Sequence, residues 1–106
     1  MKLVIILSSS QAEINWNAFR LAILALSKGD AVSIFLVGEG VEYSKNSSDQ
    51  FDITKQIRKF LESDVEIIAC GTCMATRKQK SSQECPAGEI EDLYTLITGS
   101  DKVITF

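Results

Sequence analysis

Cys70-Gly71-Thr72-Cys73 is the segment whose residue types and spacing best suit covalent chemistry: two thiols, a glycine and a hydroxyl within four positions. The 106-residue chain contains no histidine. That removes Ser-His-Asp and Cys-His catalysis, imidazole metal ligation and any imidazole base working near neutral pH. Chemistry is left to sulfur, carboxylate, lysine, hydroxyl or backbone groups. Cys70 follows the apolar run Val65 to Ala69 and precedes Gly71, which permits a tight turn. A helix starting near Thr72 or Cys73 would aim its free N–H groups at the Cys70 sulfur, lowering its pKa toward the reactive thiolate. The alternative is a small, buried, inert residue, a common fate of free cysteine. For Cys73 three readings stay open: a reversible disulfide with Cys70, a group that tunes its neighbour, or a core residue. Cys85, beside the only proline, Pro86, is either an accessory resolving thiol or a loop residue. Zinc wants four ligands, usually from two paired motifs. One cysteine pair and one stray cysteine do not supply them, so neither a metal nor a cofactor is expected.

Two other segments could contribute. Ser8-Ser9-Ser10 follows the first apolar run, where backbone N–H groups at a helix start can cradle a phosphate. No glycine-rich nucleotide motif supports that use. Gly38-Glu39-Gly40-Val41-Glu42 could close over a site, with its glycines as hinges and Glu39 and Glu42 as acid or base; exposed loop charge is the plainer explanation.

The elements that must hold these residues can be read from periodicity. Lys2 to Ser8, Ala31 to Val37, Val65 to Ala69 and Lys102 to Phe106 are short aliphatic or β-branched runs, as in strands covered on both faces. Between them lie helical patterns: Glu13 to Ser27 with Gly29 at its end, a helix started by Asp49 or Asp52, a short one over Met74 to Lys80, and Glu89 to Thr98. Ile53, Ile57, Phe60 and Leu61 form one apolar stripe; Ile90, Leu93, Tyr94 and Ile97 form another. Val41 to Gln50 reads as an exposed loop. This alternation predicts an α/β fold: a three-layer α/β/α sandwich with a small, mainly parallel sheet of four or five strands. One domain, residues 1–106, is expected at this length. Ligands of such sheets bind beyond the carboxyl ends of the strands. That rule gathers Ser8 to Ser10, Gly38 to Glu42, Cys70 to Cys73 and Phe106 onto one edge.

A net charge of −3 argues against nucleic-acid binding, and Arg77-Lys78-Gln79-Lys80 is too short to be more than a solvated face. No apolar run approaches a membrane span, and Leu3 to Leu7 is too short for a signal-peptide core. An odd count of three cysteines fits a reducing compartment, so a soluble cytoplasmic protein is expected. Ala18-Phe19 and Leu21 to Leu26 are apolar almost all round their helix, which points to cover by a second subunit as well as by the sheet.

Ile34-Phe35-Leu36-Val37-Gly38-Glu39-Gly40-Val41, Ala69-Cys70-Gly71-Thr72-Cys73-Met74-Ala75-Thr76-Arg77 and Asp101-Lys102-Val103-Ile104-Thr105-Phe106 resemble segments of the DsrE-like family, in order and over essentially the whole chain. The resemblance implies a parallel α/β sandwich assembled as trimers or hexamers. It further implies a sulfur relay in which a cysteine after a central strand, here Cys70, carries sulfur as a persulfide between a protein donor and a protein acceptor. Relatives often have Arg-Gly where this chain has Arg77-Lys78. Three functions therefore stand side by side: a sulfur carrier of sulfurtransferase type without ordinary turnover, a dithiol redox or thiol-sensing protein using Cys70 and Cys73, and a non-enzymatic oligomeric binding module.

Overall fold

A computed structural model describes residues 1–106. Strands β1 (Lys2–Leu7), β2 (Ala31–Leu36), β3 (Glu66–Cys70), β4 (Ala87–Gly88) and β5 (Lys102–Thr105) form one sheet in the order β4-β3-β2-β1-β5. Every neighbouring pair is parallel. Helices α1 (Ala12–Ser27), α2 (Ile53–Leu61), α3 (Gly71–Thr76) and α4 (Ile90–Thr98) make the crossovers, giving the expected α/β/α sandwich.

The register places Ile5, Ile34 and Ile67 in one row across the three central strands, and Leu7, Leu36 and Ala69 in the row nearest the carboxyl edge. All six are buried. Because side chains alternate along a strand, both rows face one side, where α1 contributes Ala18, Phe19 and Ala22 and α2 contributes Ile53, Ile57 and Phe60. Phe19 meets Phe60 edge-on at 5.6 Å between ring centres, a favoured aromatic geometry. The α2 stripe is the one read from the sequence, and its start is Asp52, whose carboxylate accepts the Lys55 N–H at 3.0 Å.

The opposite face is thinner. Val4 and Phe35 are buried there, but α4 buries none of its residues. The expected α4 stripe is out of phase: Leu93 and Leu96 are half-buried, whereas Ile90 and Tyr94 are 72% and 69% exposed. The helix carries apolar residues on two sides, and only one side can meet the sheet. α1 likewise leaves Leu24 outward.

Three further expectations are corrected. The Val41–Gln50 segment is not wholly exposed: Gly38–Glu42 forms a 3-10 turn, and Val41 and Tyr43 enter the core. The short helix starts at Gly71 and ends by Thr76, ahead of Met74–Lys80, because Cys70 caps it directly. β4 is an additional edge strand of two residues, too short to leave a periodic signal.

Candidate functional site

Two crossovers meet at the sulfur atoms. β3 ends on Cys70, which is also the N-cap residue of α3; its Sγ accepts the Cys73 N–H at 3.4 Å. One strand over, β2 ends in the 3-10 turn, and Gly38 N–H donates to Cys73 Sγ at 3.2 Å. Gly38 has φ +55°, a left-handed conformation that glycine adopts without steric cost. Gly40 has no room for a side chain: a Cβ there would lie 1.9 Å from the Leu7 carbonyl oxygen. The turn is thus seated against the end of β1, so these glycines fix the loop and do not act as hinges of a lid.

Two more contacts tie the turn to the segment after β3. Arg77 Nε donates to Glu42 Oε1 at 3.1 Å while Arg77 Nη1 donates to the Cys73 carbonyl at 3.2 Å. Gln79 Nε2 donates to the Val41 carbonyl at 3.0 Å. Glu42 also accepts from Lys45 at 3.0 Å. The hydrogen bond from Lys45 leads the effects that hold its carboxyl below the usual range, with Arg77 adding to them. Engaged by two cations, Glu42 is a strut and not an acid or base; Glu39 points to solvent.

The thiols are unequal. A hydrogen bond from Cys70, the Gly38 N–H and the charge of Arg77 together pull the Cys73 thiol below its ordinary value. Burial, followed by the hydrogen bond it gives to Cys73, pushes Cys70 up. The expectation of a depressed Cys70 is therefore reversed in the reduced pair. Burial outweighs the Cys73 and Thr72 N–H groups that still pull Cys70 down, and Gly38, from the neighbouring strand, adds a donor to the second sulfur alone. Cys73 also packs against the core, while both cysteines are half-buried and reach the surface.

Both thiols open onto a cleft of about 790 Å³ between α3 and the start of α4, lined also by Gly71, Thr72, Gly88 and Ile90. Gly71 and Gly88 let the two segments approach: a Cβ on Gly71 would lie 3.2 Å from the Gly88 carbonyl oxygen, and one on Gly88 would lie 2.5 Å from Ile68. Glu89 and Glu91 stand on its rim.

Ser8, Ser9 and Ser10 share the carboxyl edge but do not line this cleft. Ser8 Oγ donates to the Phe106 carbonyl, Ser9 Oγ accepts the Gln11 N–H, and the Ser9 and Ser10 carbonyls accept from Asn15 and Asn46. Through these hydroxyls and carbonyls the serines fasten the loop to its surroundings. Cys85 lies apart, buried with Val41 and Tyr43 in the core cluster, and burial pushes its thiol up to about 11. It is a packing residue and not a resolving thiol for the cleft. No three of the Cys, Asp and Glu side chains converge as a metal site.

Comparison with known proteins bears on the whole chain. The profile of the DsrE/DsrF-like family matches residues 1–106. An uncharacterized protein of Methanocaldococcus jannaschii is 28% identical over 114 residues, covering 100% of both chains. Another, of Methanopyrus kandleri, is 29% identical over 97 residues, covering 86% of this chain and 80% of its own. Among solved structures, the ychN protein from E. coli superposes with a TM-score of 0.82 at 19% identity, covering 100% of both chains. A conserved protein of unknown function from Bacteroides thetaiotaomicron gives 0.75 at 20% identity, covering 99% of this chain and 94% of its own. At those identities the structures speak for the fold alone.

Proposed function

The chain belongs to the DsrE/DsrF-like family, and from that premise we propose that it is a sulfur carrier that holds sulfane sulfur as a persulfide on Cys70 and passes it to a partner protein. The observation that carries this reading is the position of Cys70: a half-buried thiol at the carboxyl end of β3, opening onto a cleft large enough for a partner's side chains. No histidine base is needed, because the attacking species is the thiolate, formed when a thiol that reaches the surface gives its proton to solvent. Thr72 and Gly71 shape the cleft beside the sulfur. The carrier is loaded by a protein donor and emptied by a protein acceptor, a sulfurtransferase-type role without ordinary turnover. A reducing cytoplasm suits its free thiols; in addition, no helix is long and apolar enough to cross a membrane.

We further propose that the working unit is a homo-oligomer, a trimer or hexamer. Support comes from apolar surface without cover: Ile90, Tyr94 and Ile97 on α4, Leu24 on α1, and Val103 and Ile104 on the edge strand β5.

The test of the carrier is loading of the Cys73→Ser chain by a cysteine desulfurase with cysteine. A gain of about 32 Da (one sulfur atom as persulfide) is expected, and Cys70→Ser should abolish it. An unmodified Cys73→Ser chain would contradict the proposal.

A further inference from the structure

The pair Cys70–Cys73 has a feature that a carrier with a single cysteine lacks: a second sulfur on the same helical turn, opening onto the same cleft. The capping turn brings the Cys73 N–H to Cys70 Sγ at 3.4 Å, so both side chains start from one turn of backbone, the spacing at which a Cys-x-x-Cys pair can close a disulfide. Gly38 N–H, delivered by the other crossover, points at Cys73 Sγ and at no other acceptor in the cleft. A backbone donor aimed at sulfur stabilises the thiolate over the thiol. Arg77, tied to Glu42 and to the Cys73 carbonyl, keeps this turn and that donor together.

Taking Cys70 as the carrier, as proposed above, we infer that Cys73 discharges it from within, so that the chain has a second activity: reduction of bound sulfane sulfur to hydrosulfide when no acceptor occupies the cleft. In that step the Cys73 thiolate attacks Cys70 Sγ of Cys70–S–SH. The Cys70–Cys73 disulfide bond forms, the bond between Cys70 Sγ and the outer sulfur breaks, and the outer sulfur leaves with the bonding pair as HS⁻. The two cysteines are oxidised by two electrons and the outer sulfur is reduced by two. A dithiol reductant returns the pair to its starting state through two thiol–disulfide exchanges. An acceptor thiolate instead attacks the outer sulfur, and the electron pair then goes to Cys70 with no disulfide formed. The competition between these two attacks decides whether sulfur is delivered or released.

The geometry also orders the roles. Cys73 packs against the core and is braced by backbone from the next strand, so it is the fixed attacking sulfur. Cys70 stands outside the core cluster at the end of its strand, so it is the one that meets a donor.

The experiment loads the reduced chain with glutathione persulfide, desalts it rapidly, and follows hydrosulfide and intact mass together. The wild-type chain should release about one equivalent of hydrosulfide and finish about 2 Da lighter than the dithiol. Cys73→Ser should release none and keep the extra mass of about 32 Da. A wild-type chain that keeps its persulfide without forming the disulfide overturns internal discharge and leaves the carrier intact. A Cys73→Ser chain that takes up no sulfur overturns the carrier reading and the discharge built on it.

Discussion

Single residues divide into those whose chemistry is written in their type and those whose role is set by a distant neighbour. The absence of histidine and the Cys70-Gly71-Thr72-Cys73 spacing directed attention to sulfur without any structure. Which thiol is held lower was not legible, because it depends on the burial of Cys70 and on the Gly38 N–H, thirty-five residues from Cys73 in sequence and in a backbone conformation that no side-chain pattern announces. Cys85 was ambiguous for the same reason: its polar neighbours suggest a loop surface, yet Val41 and Tyr43 fold over it. Its thiol is held neutral, with a folded-state value of about 11 against a reference of 9.0. A raised acid pKa favours the folded state below the unfolded value, and that contribution is lost as pH climbs through the folded one. Thermal melts from pH 9 to 11 should therefore show falling stability, of which Cys85 supplies about 2–3 kcal/mol that Cys85→Ala removes, while the buried Tyr43 phenol, also raised, leaves a remaining slope above pH 10. Equal slopes for the two chains would show that the buried thiol is not the cause.

At the scale of elements, the strands and long helices followed from periodicity, since β1, β2 and α2 bury the residues their apolar runs predict. The failures lie where an element is short or has two apolar sides. A two-residue β4 has no period, the 3-10 turn hides two core residues among serines and charges, and α4 offers two faces of which the sheet takes one. The seat of the 3-10 turn rests on Gly40, whose missing Cβ accommodates the Leu7 carbonyl. Gly40→Ala should cost about 3 kcal/mol of unfolding free energy in urea titration. Because the same turn presents Gly38 N–H, alkylation of Cys73 in that variant should require higher pH. Unchanged stability together with an unchanged alkylation profile would separate the turn from the site.

For the whole molecule, the sheet order β4-β3-β2-β1-β5 puts the cysteine cleft at one flank, between β3 and the edge, and leaves β5 bare at the other. An assembly that covers α4 would also bring a second chain beside Ile90, which lines the cleft. Sedimentation at micromolar concentration should give a trimer or hexamer, and Tyr94→Lys should shift it toward monomer; a monomeric wild-type chain would contradict the proposed assembly. The all-round apolar pattern of α1 leaves only Leu24 among its large apolar residues exposed, and the larger bare surface, Ile90, Tyr94 and Ile97, lies on α4. The central claim, that Cys70 holds transferable sulfur, is tested most directly at the level of the peptide. After loading of the Cys73→Ser chain by a desulfurase and blocking with iodoacetamide, tandem mass spectrometry should find the extra sulfur on Cys70. Sulfur found on Cys85, or on no cysteine at all, would contradict the account.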